Sequence, residues 1–341
     1  MPNEGVQLVK ARLFDEPGKV ATFFGASETF WGSRNLRVQH WRQLLKQIDY
    51  TQRLRAKTKK YHAFEGNESS SFYAAMVQLL TKHPLKNRIP LAQGNEADRV
   101  VVGQVERLLE GTYRDVDYRR SRRMETDTLH LGATKFALSD GWVCLEAVQL
   151  EDNPDAVVDV RLYDVTDVAP EWTSDGLIAV VLRTRRTKTQ LALEYPQLDT
   201  SDFKTRPSVG FASAPSEAAT WPVYVVYWRE KLDKGKWQVW YGCAVDQQWA
   251  IPPYQLKWTD DIPVVVSPLN GLPFRDNLSY VTKSDPLADE LNETKLEEDR
   301  DAWTADVGRG IFYMNENLYG ELNSLWATVL DFIDTEGHGT Y

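Results

Sequence analysis

The sequence predicts an α+β protein with a helical N-terminal layer, a β-rich middle and a long C-terminal amphipathic helix. Three observations support this prediction. Apolar residues recur at the helical spacing of about 3.6 through much of residues 35–138, they alternate with polar residues within 139–275, and the helical spacing returns near the C-terminus. With 341 residues, 42% of them hydrophobic and 26% charged, the chain is long enough to bury a large core.

The N-terminal part combines an arm with helices. Residues 1–34 show no sustained period and predict an arm that becomes ordered only against another surface. In the next segment, Trp41, Leu44 and Ile48 fall at i, i+3 and i+7, which lines one face of a helix. The predicted helices of the segment 35–138 are one from Asn35, one over Ser71–Lys82, and a longer one from Asn95 toward Ser139.

Alternating apolar residues predict strands in the segment 139–275. Trp221–Arg229 and Trp237–Cys243 are separated by a short stretch ending in Gly235, which predicts a β-hairpin. The other predicted strands are Trp142–Leu150, Val157–Leu162, Leu177–Arg183, Thr189–Tyr195 and Pro263–Val266.

The last segment, 276–341, predicts an acidic connector followed by a helix. Nine acidic residues lie between Asp285 and Asp306, opposed only by Lys295 and Arg300. The helix after them carries one apolar stripe, formed by Leu318, Leu322, Leu325, Trp326, Val329, Leu330 and Ile333.

The net charge of −9 predicts that the protein as a whole repels nucleic acid. Local basic patches run against this balance, and they allow two interpretations: contact with a polyanion, or salt bridges to the surplus of acidic residues. The residues of these patches are Arg53, Arg55, Lys57, Arg119, Arg120, Arg122 and Arg123.

The sequence contains no motif that predicts a metal, a cofactor or a catalytic nucleophile. The five histidines are scattered, and neither a G-x-S-x-G elbow nor a complete phosphate-binding loop is present. Gly308-Arg309-Gly310 lacks the lysine of such a loop and predicts a helix start instead. A carboxylate pair for glycoside hydrolysis stays open, with the twelve Trp residues as candidates for sugar stacking.

The cysteines, the apolar runs and the N-terminus bear on the cellular compartment and on membrane insertion. Cys144 and Cys243 have no CxxC spacing and predict two buried thiols in a reducing compartment. The apolar runs are too short for a membrane span, and the N-terminus lacks the pattern of a secretory leader.

The order of several segments resembles tailed-bacteriophage portal proteins, over about residues 36–335. Their order carries the resemblance, because no single motif is diagnostic. The segments are Trp41–Asp49, Phe64–Asn67, Leu79–Pro84, Val105–Asp117, Ser139–Cys144, Val160–Trp172, the "IPVV" stretch within Ile262–Pro268, Gly271–Pro273, and Asp306–Gly310 leading into the last helix.

The resemblance implies a β-rich part that is wing-like, a stem-like last helix, and no enzymatic activity. Portal proteins form a ring, usually of twelve subunits, at one capsid vertex, through which double-stranded DNA is packaged and ejected. The implied partners are further copies of the chain, the DNA, the terminase, the major capsid protein and the head-to-tail adaptor. The implied location is the virion, with assembly in the host cytoplasm.

The resemblance also assigns roles within the last helix, expected over Ile311–Asp334. Residues expected at the subunit interface are Leu318, Leu322 and Trp326. Residues expected to face the DNA channel or the outside of the ring are Glu316, Asn323 and Asp331. The alternative is that this helix packs inside one subunit.

One departure from the family pattern and two other classes of protein stay open. Portal proteins usually continue through a clip domain, a second stem helix, a tunnel loop and a crown, which are not evident in this sequence. A carbohydrate-active hydrolase would use a carboxylate pair, and another virion structural protein, such as an adaptor, would share the acidity and the lack of catalytic motifs.

Overall fold

The computed structural model of the chain describes residues 13–46, 66–83, 89, 96–123, 127–150, 158–173, 175–199, 220–231, 236–269, 308, 310–312 and 316–337. The described residues combine helices with antiparallel sheets, which confirms the α+β class. The acidic connector predicted between Asp285 and Asp306 lies outside the described residues. Among the described helices, none combines the length and apolarity needed to cross a lipid bilayer.

The described helices and strands have the following bounds. The helices are α1 (Pro17–Phe30), α2 (Gly32–Leu45), α3 (Glu68–Thr81), α4 (Glu96–Arg122), α5 (Leu129–Asp140), α6 (Lys188–Glu194) and α7 (Glu316–Gly337). The strands are β1 (Trp142–Gln149), β2 (Val158–Tyr163), β3 (Val168–Thr173), β4 (Gly176–Thr187), β5 (Thr220–Lys231), β6 (Trp237–Val245), β7 (Gln248–Leu256) and β8 (Val264–Pro268).

The chain forms two compact units, and each is assembled from two separate stretches of sequence. Unit 1 consists of Met1–Phe30 and Thr166–Val264, and unit 2 consists of Trp31–Val165 and Val265–Tyr341. Unit 1 contains a five-stranded antiparallel sheet in the order β3-β4-β5-β6-β7, and unit 2 a three-stranded sheet in the order β2-β1-β8.

The sheet of unit 1 confirms the predicted hairpin and adds two strands. β5 pairs antiparallel with β6, with Val226 opposite Gly242. β3 and β7 were not predicted, because Pro170 and Pro252-Pro253 interrupt their patterns. Both are edge strands. A proline has no backbone N–H, and at an edge this leaves fewer hydrogen bonds of the sheet unmade than in a central strand.

The N-terminal arm predicted for residues 1–34 is wrong over Pro17–Phe30, which forms a helix. Its side chains Val20 and Phe24 are buried in one cluster with Phe14 and Trp228 of β5. Phe14 packs edge-to-face on Trp228, with ring centroids 5.4 Å apart. Two inward positions at i and i+4 are too few to stand out as a period in the sequence, so only the sheet beneath the helix reveals it.

The strand predicted over Thr189–Tyr195 is a helix, α6. The Thr187 side chain accepts a hydrogen bond from the Gln190 backbone N–H, and the Gln190 side chain accepts one from the Thr187 N–H. This reciprocal cap starts a helix in which Leu191 is buried and Leu193 is 78% exposed. The alternation of leucines in this segment therefore does not indicate a strand.

Unit 2 packs helices around a small aromatic core. Trp41 and Leu44 of α2 are buried with Phe312, and Tyr73 of α3 packs against them, which confirms the helical period that predicted α2. The prediction of a single helix from Asn95 toward Ser139 is wrong, because this stretch forms two helices. α4 ends at Arg122, and α5 begins after Thr128.

Thr128 and Asp117 together start α5. The Thr128 hydroxyl accepts a hydrogen bond from the Leu131 N–H at 3.2 Å, and Asp117 accepts one from the Leu129 N–H at 2.6 Å.

A close approach of two glycines joins α5 to the chain near residue 308. Gly141 ends α5 at a φ of 71°, and Gly308 has the same φ. A Cβ on Gly141 would lie 1.9 Å from the Gly308 carbonyl oxygen, and one on Gly308 would lie 1.9 Å from Nε1 of Trp142. The prediction that Gly308-Arg309-Gly310 starts a helix is therefore wrong, since α7 begins at Glu316.

Candidate interaction surface

The C-terminal helix α7 packs onto its own unit through Tyr319, Asn323 and Ala327, and Tyr319 packs edge-to-face on Phe312 with ring centroids 6.2 Å apart. Asn323 is 7% exposed and Ala327, one turn later, is fully buried. The side-chain oxygen of Asn323 accepts a hydrogen bond from the Gly66 backbone N–H at 2.9 Å. Positions i and i+4 lie on one face of a helix, so these two residues define the inward face of α7.

The opposite face of α7 is apolar and exposed. Leu318, Leu325 and Val329 fall at i, i+7 and i+11, and Leu325 is 62% exposed. The usual arrangement of an amphipathic helix is therefore inverted, because its leucines point away from the unit that holds it. We call this surface the α7 stripe, which consists of Leu318, Leu325 and Val329, with Trp326 at its edge.

The structure places the six predicted residues of α7 differently. The three residues expected at a subunit interface lie on or beside the α7 stripe, since Leu318 and Trp326 are exposed and Leu322 is half-buried. Their role stays a prediction. The expectation that Asn323 faces a channel is wrong within the single chain, because it is buried against Gly66. Asp331 is partly exposed, and the side chain of Glu316 lies outside the described residues.

A second exposed apolar surface lies on α4, which belongs to the same unit. Val101, Val105 and Leu108 follow one another at i, i+4 and i+7, and Leu108 is 68% exposed. Further along the same face, Val116 lies three turns after Val105 and is fully buried, so the apolar face of α4 is exposed only in the first half of the helix. We call the exposed surface the α4 stripe, which consists of Val100, Val101, Val105 and Leu108.

The sequence shows part of the α4 stripe as one run of apolar residues. Val105, Leu108 and Val116 keep one 3.6 period, which predicts a single apolar face of a helix. A shared period does not show where along the helix the burial of that face ends.

The basic residues near the end of α4 are largely held in ion pairs. Arg119 and Arg123 both pair with Asp159 of β2, and the Arg123–Asp159 distance is 2.7 Å. Arg120 is buried and donates from Nε to the Asp127 carbonyl oxygen at 3.2 Å. Arg122 is exposed, with its guanidinium above the ring of Tyr118.

This pairing favours salt bridges over polyanion contact for the patch at Arg119–Arg123. The second patch, Arg53, Arg55 and Lys57, lies outside the described residues.

Buried carboxylates of unit 2 are also matched by arginines. Arg42 of α2 donates to Asp140 and to Asp164, the latter at 2.7 Å, while Ser139 donates to Asp140 at 2.7 Å. Burial raises the pKa of Asp140, and the hydrogen bond from Arg42 opposes this rise. Arg42 itself also loses solvent, but its hydrogen bonds to the two aspartates raise its pKa above the ordinary value.

Glu146 and Asp159 lie on the same face of the β1–β2 pair. Glu146 is opposite Arg161 in the register, and Asp159 is opposite Val148. Arg161 approaches both carboxylates, at 3.8 Å and 3.5 Å, and Tyr163 donates a hydrogen bond to Glu146 at 2.8 Å. Both acids are almost fully buried, so this pair is arranged as an internal ion cluster.

One cavity of about 430 Å³ opens between α3, α4, α5 and β2. Its polar lining groups are engaged with one another: Lys135 pairs with Asp127 at 2.8 Å, and Tyr73 donates to the Lys135 carbonyl oxygen at 3.3 Å. Burial, together with the nearby Asp140, raises the pKa of Tyr73 to about 12. The cavity therefore holds a phenol that is protonated at neutral pH and a lysine that forms an ion pair with Asp127.

Within the part of the chain that the structure describes, no cluster of His, Cys, Asp and Glu could hold a metal ion. Cys144 and Cys243 are both buried and unbonded to each other, as their apolar contexts predicted. No model of a protein family matches this chain, and no curated protein matches it.

Proposed function

We propose that this protein is a portal-type connector of a tailed bacteriophage. It forms a ring at one capsid vertex, and double-stranded DNA passes through the ring during packaging and ejection. The α7 stripe carries the proposal, because a helix that presents its leucines outward is built for contact with another chain. The order of segments that resembles portal proteins supplies the kind of assembly.

The energetics favour burial of the α7 stripe. Burying one large apolar side chain contributes about 1.5–3 kcal/mol, so several together exceed the entropic cost of association once more than one interface forms. Tyr319, Asn323 and Ala327 hold the inward face of α7 on its own unit, and the exposed leucines of the other face take no part in that contact. Its apolar side is best satisfied by a second copy.

The charge balance suits a duplex that must slide. Each phosphate contact with Lys or Arg adds affinity through counterion release and would slow the DNA. The net charge of −9 and the internal pairing of Arg119 and Arg123 keep such contacts few. Terminase supplies the packaging ATPase in this proposal, and the major capsid protein and the adaptor surround the ring.

The two other classes receive less support. A hydrolase needs a carboxylate that reaches substrate, whereas Glu146 and Asp159 are buried beside arginines. Another virion structural protein would share the α7 stripe but would be distinguished by its subunit number.

The test is assembly state, measured by negative-stain electron microscopy and native mass spectrometry. The unaltered chain should give closed rings with a central hole wide enough for a duplex. Leu325→Asp should raise the concentration at half-assembly more than about tenfold, because the interface would bury an unpaired carboxylate. Leu322→Asp should act in the same direction.

Leu193→Asp is the matched control. Leu193 is an exposed leucine of α6 and belongs to unit 1, whereas the α7 stripe belongs to unit 2, so this change should leave the assembly intact. A chain that stays monomeric at every concentration would overturn the proposed function, and rings that survive Leu325→Asp would overturn the role of the α7 stripe in it.

A further inference from the structure

We propose that neighbouring subunits join by docking the α7 stripe of one copy onto the α4 stripe of the next. This inference rests on the self-association in the proposed function and specifies its contact. Both stripes are exposed on unit 2 of the same chain, so neither is covered by the other.

The α7 stripe is long enough to cover the α4 stripe. Val100 to Leu108 spans eight residue steps of α4, or about 12 Å at 1.5 Å per residue, and Leu318 to Val329 spans about 17 Å. Two helices that cross bury a contact of about this length, with side chains of one lying between those of the other. The shorter α4 stripe therefore sets the length of the contact.

The charges around the stripes select the pairing. α7 contains five acidic residues and neither Lys nor Arg between Glu316 and Gly337. Glu321, one turn from Leu325, is exposed. Two copies of α7 packed together would bring like charges close and lose stability.

The exposed side of α4 carries the complementary charge. Arg107 lies seven residues after Val100, on the same side of the helix, and is exposed beside the α4 stripe. Arg114 is exposed two turns further, although it pairs with Glu110 at 2.7 Å. An acidic helix therefore meets arginines when α7 docks on α4.

Contact between two different surfaces is the geometry that a ring requires. A contact between identical surfaces produces a two-fold dimer and stops there, whereas contact between different surfaces continues to the next copy until it closes. The docking of α7 on α4 is of the second kind, and it supplies each subunit with one donor and one acceptor surface.

Cysteine cross-linking tests the contact directly. Leu108→Cys and Leu325→Cys are made in separate chains with different tags, mixed under dissociating conditions, reassembled and treated with a short bis-maleimide. The native Cys144 and Cys243 are buried and should not react. The mixture should give a covalent dimer that carries both tags, and neither variant alone should do so.

Three results would separate this inference from the proposed function. If Leu325→Cys alone forms the covalent dimer, α7 pairs with α7 and the inference is overturned. If rings form without the mixed dimer, the inference fails and the proposed function stands. If the mixed dimer forms in open filaments, the contact is correct and the ring is not.

Charge reversal provides a second readout that a merely unfolded variant would not mimic. Arg107→Glu and Glu321→Arg should each raise the concentration at half-assembly by about 3- to 10-fold, because one attractive pair becomes repulsive. The double variant carries both reversals in one chain and should recover most of the assembly. If the double variant is weaker than either single variant, α4 and α7 do not face each other.

Discussion

Charged side chains in unit 2 are buried as matched groups, and Arg42 is the clearest case. It binds the fully buried Asp140 and the partly exposed Asp164 at once. The sequence shows Arg42 only as one member of a basic helical face. Its partners lie about 100 residues further along the chain, so no local pattern could have paired them.

Arg42→Ala should lower the free energy of unfolding by about 3–5 kcal/mol, because it leaves the Asp140 carboxylate buried without its cation. The loss should be smaller at pH 4 than at pH 7. Burial holds the folded pKa of Asp140 above its unfolded value, so the folded state binds a proton more tightly and gains stability as the pH falls. Urea unfolding at both pH values measures this.

The matched control is Arg114→Ala, which removes an exposed arginine paired with Glu110. It should cost less than about 1 kcal/mol. Equal losses for the two variants would mean that Arg42 contributes no more than a surface ion pair.

At the candidate interface, the sequence predicted the apolar residues of α7 but not the orientation of its polar residue Asn323. The sequence correctly marked Leu318 and Trp326 as part of one stripe, and the structure finds both exposed. It could not show that Asn323 faces inward, because a polar residue on a helix is by default assigned to the solvent side. The hydrogen bond from Gly66, 257 positions away, decides the orientation.

Glycines fix where α5 ends and how the chain returns beside it. Gly141 adopts a left-handed conformation that favours glycine, and the neighbouring backbone of Gly308 leaves no room for a Cβ on Gly141. Gly111, in the middle of α4, has the opposite surroundings, because a Cβ there would meet nothing within 4 Å.

Substitution by alanine should change the free energy of unfolding in opposite directions at Gly141 and at Gly111. Gly141→Ala should lower the free energy of unfolding by more than about 2 kcal/mol, from backbone strain and the clash with Gly308. Gly111→Ala should raise it by about 0.5–1 kcal/mol, because alanine favours the helix. Thermal and urea unfolding measure both, and destabilisation by Gly111→Ala would contradict the open surroundings.

The helices and strands were predictable where one periodic face packs on a neighbour. α2, α3 and the β5–β6 hairpin follow their patterns closely. The misses have local causes: α1 has only a few inward residues, and α6 depends on a side-chain cap rather than on a period. β3 and β7 contain prolines that only an edge position tolerates.

Charge acts on the protein as a whole, and the proposed passage of DNA depends on it. A net charge of −9 opposes phosphate contacts in general, and the arginines at the end of α4 are mainly directed at Asp115 and Asp159. The molecule should therefore contact a duplex without holding it.

We expect no binding of a duplex of about 30 base pairs tighter than about 10 μM at about 150 mM salt, measured by fluorescence anisotropy. Arg122→Glu should leave this result unchanged. Tight binding that Arg122→Glu weakens would show instead that the exposed end of α4 holds DNA, which contradicts a sliding channel.

The sequence by itself determined the α+β class, most of the helices and strands, and the apolar stripe of the last helix, because these depend on residues within a few positions of each other. Only the tertiary structure decided that each unit joins two distant stretches of chain. It also decided that α7 turns its leucines outward. Which face of a helix is buried depends on what lies beside it, and Gly66, which binds the inward face of α7, is 257 positions from Asn323 in the sequence.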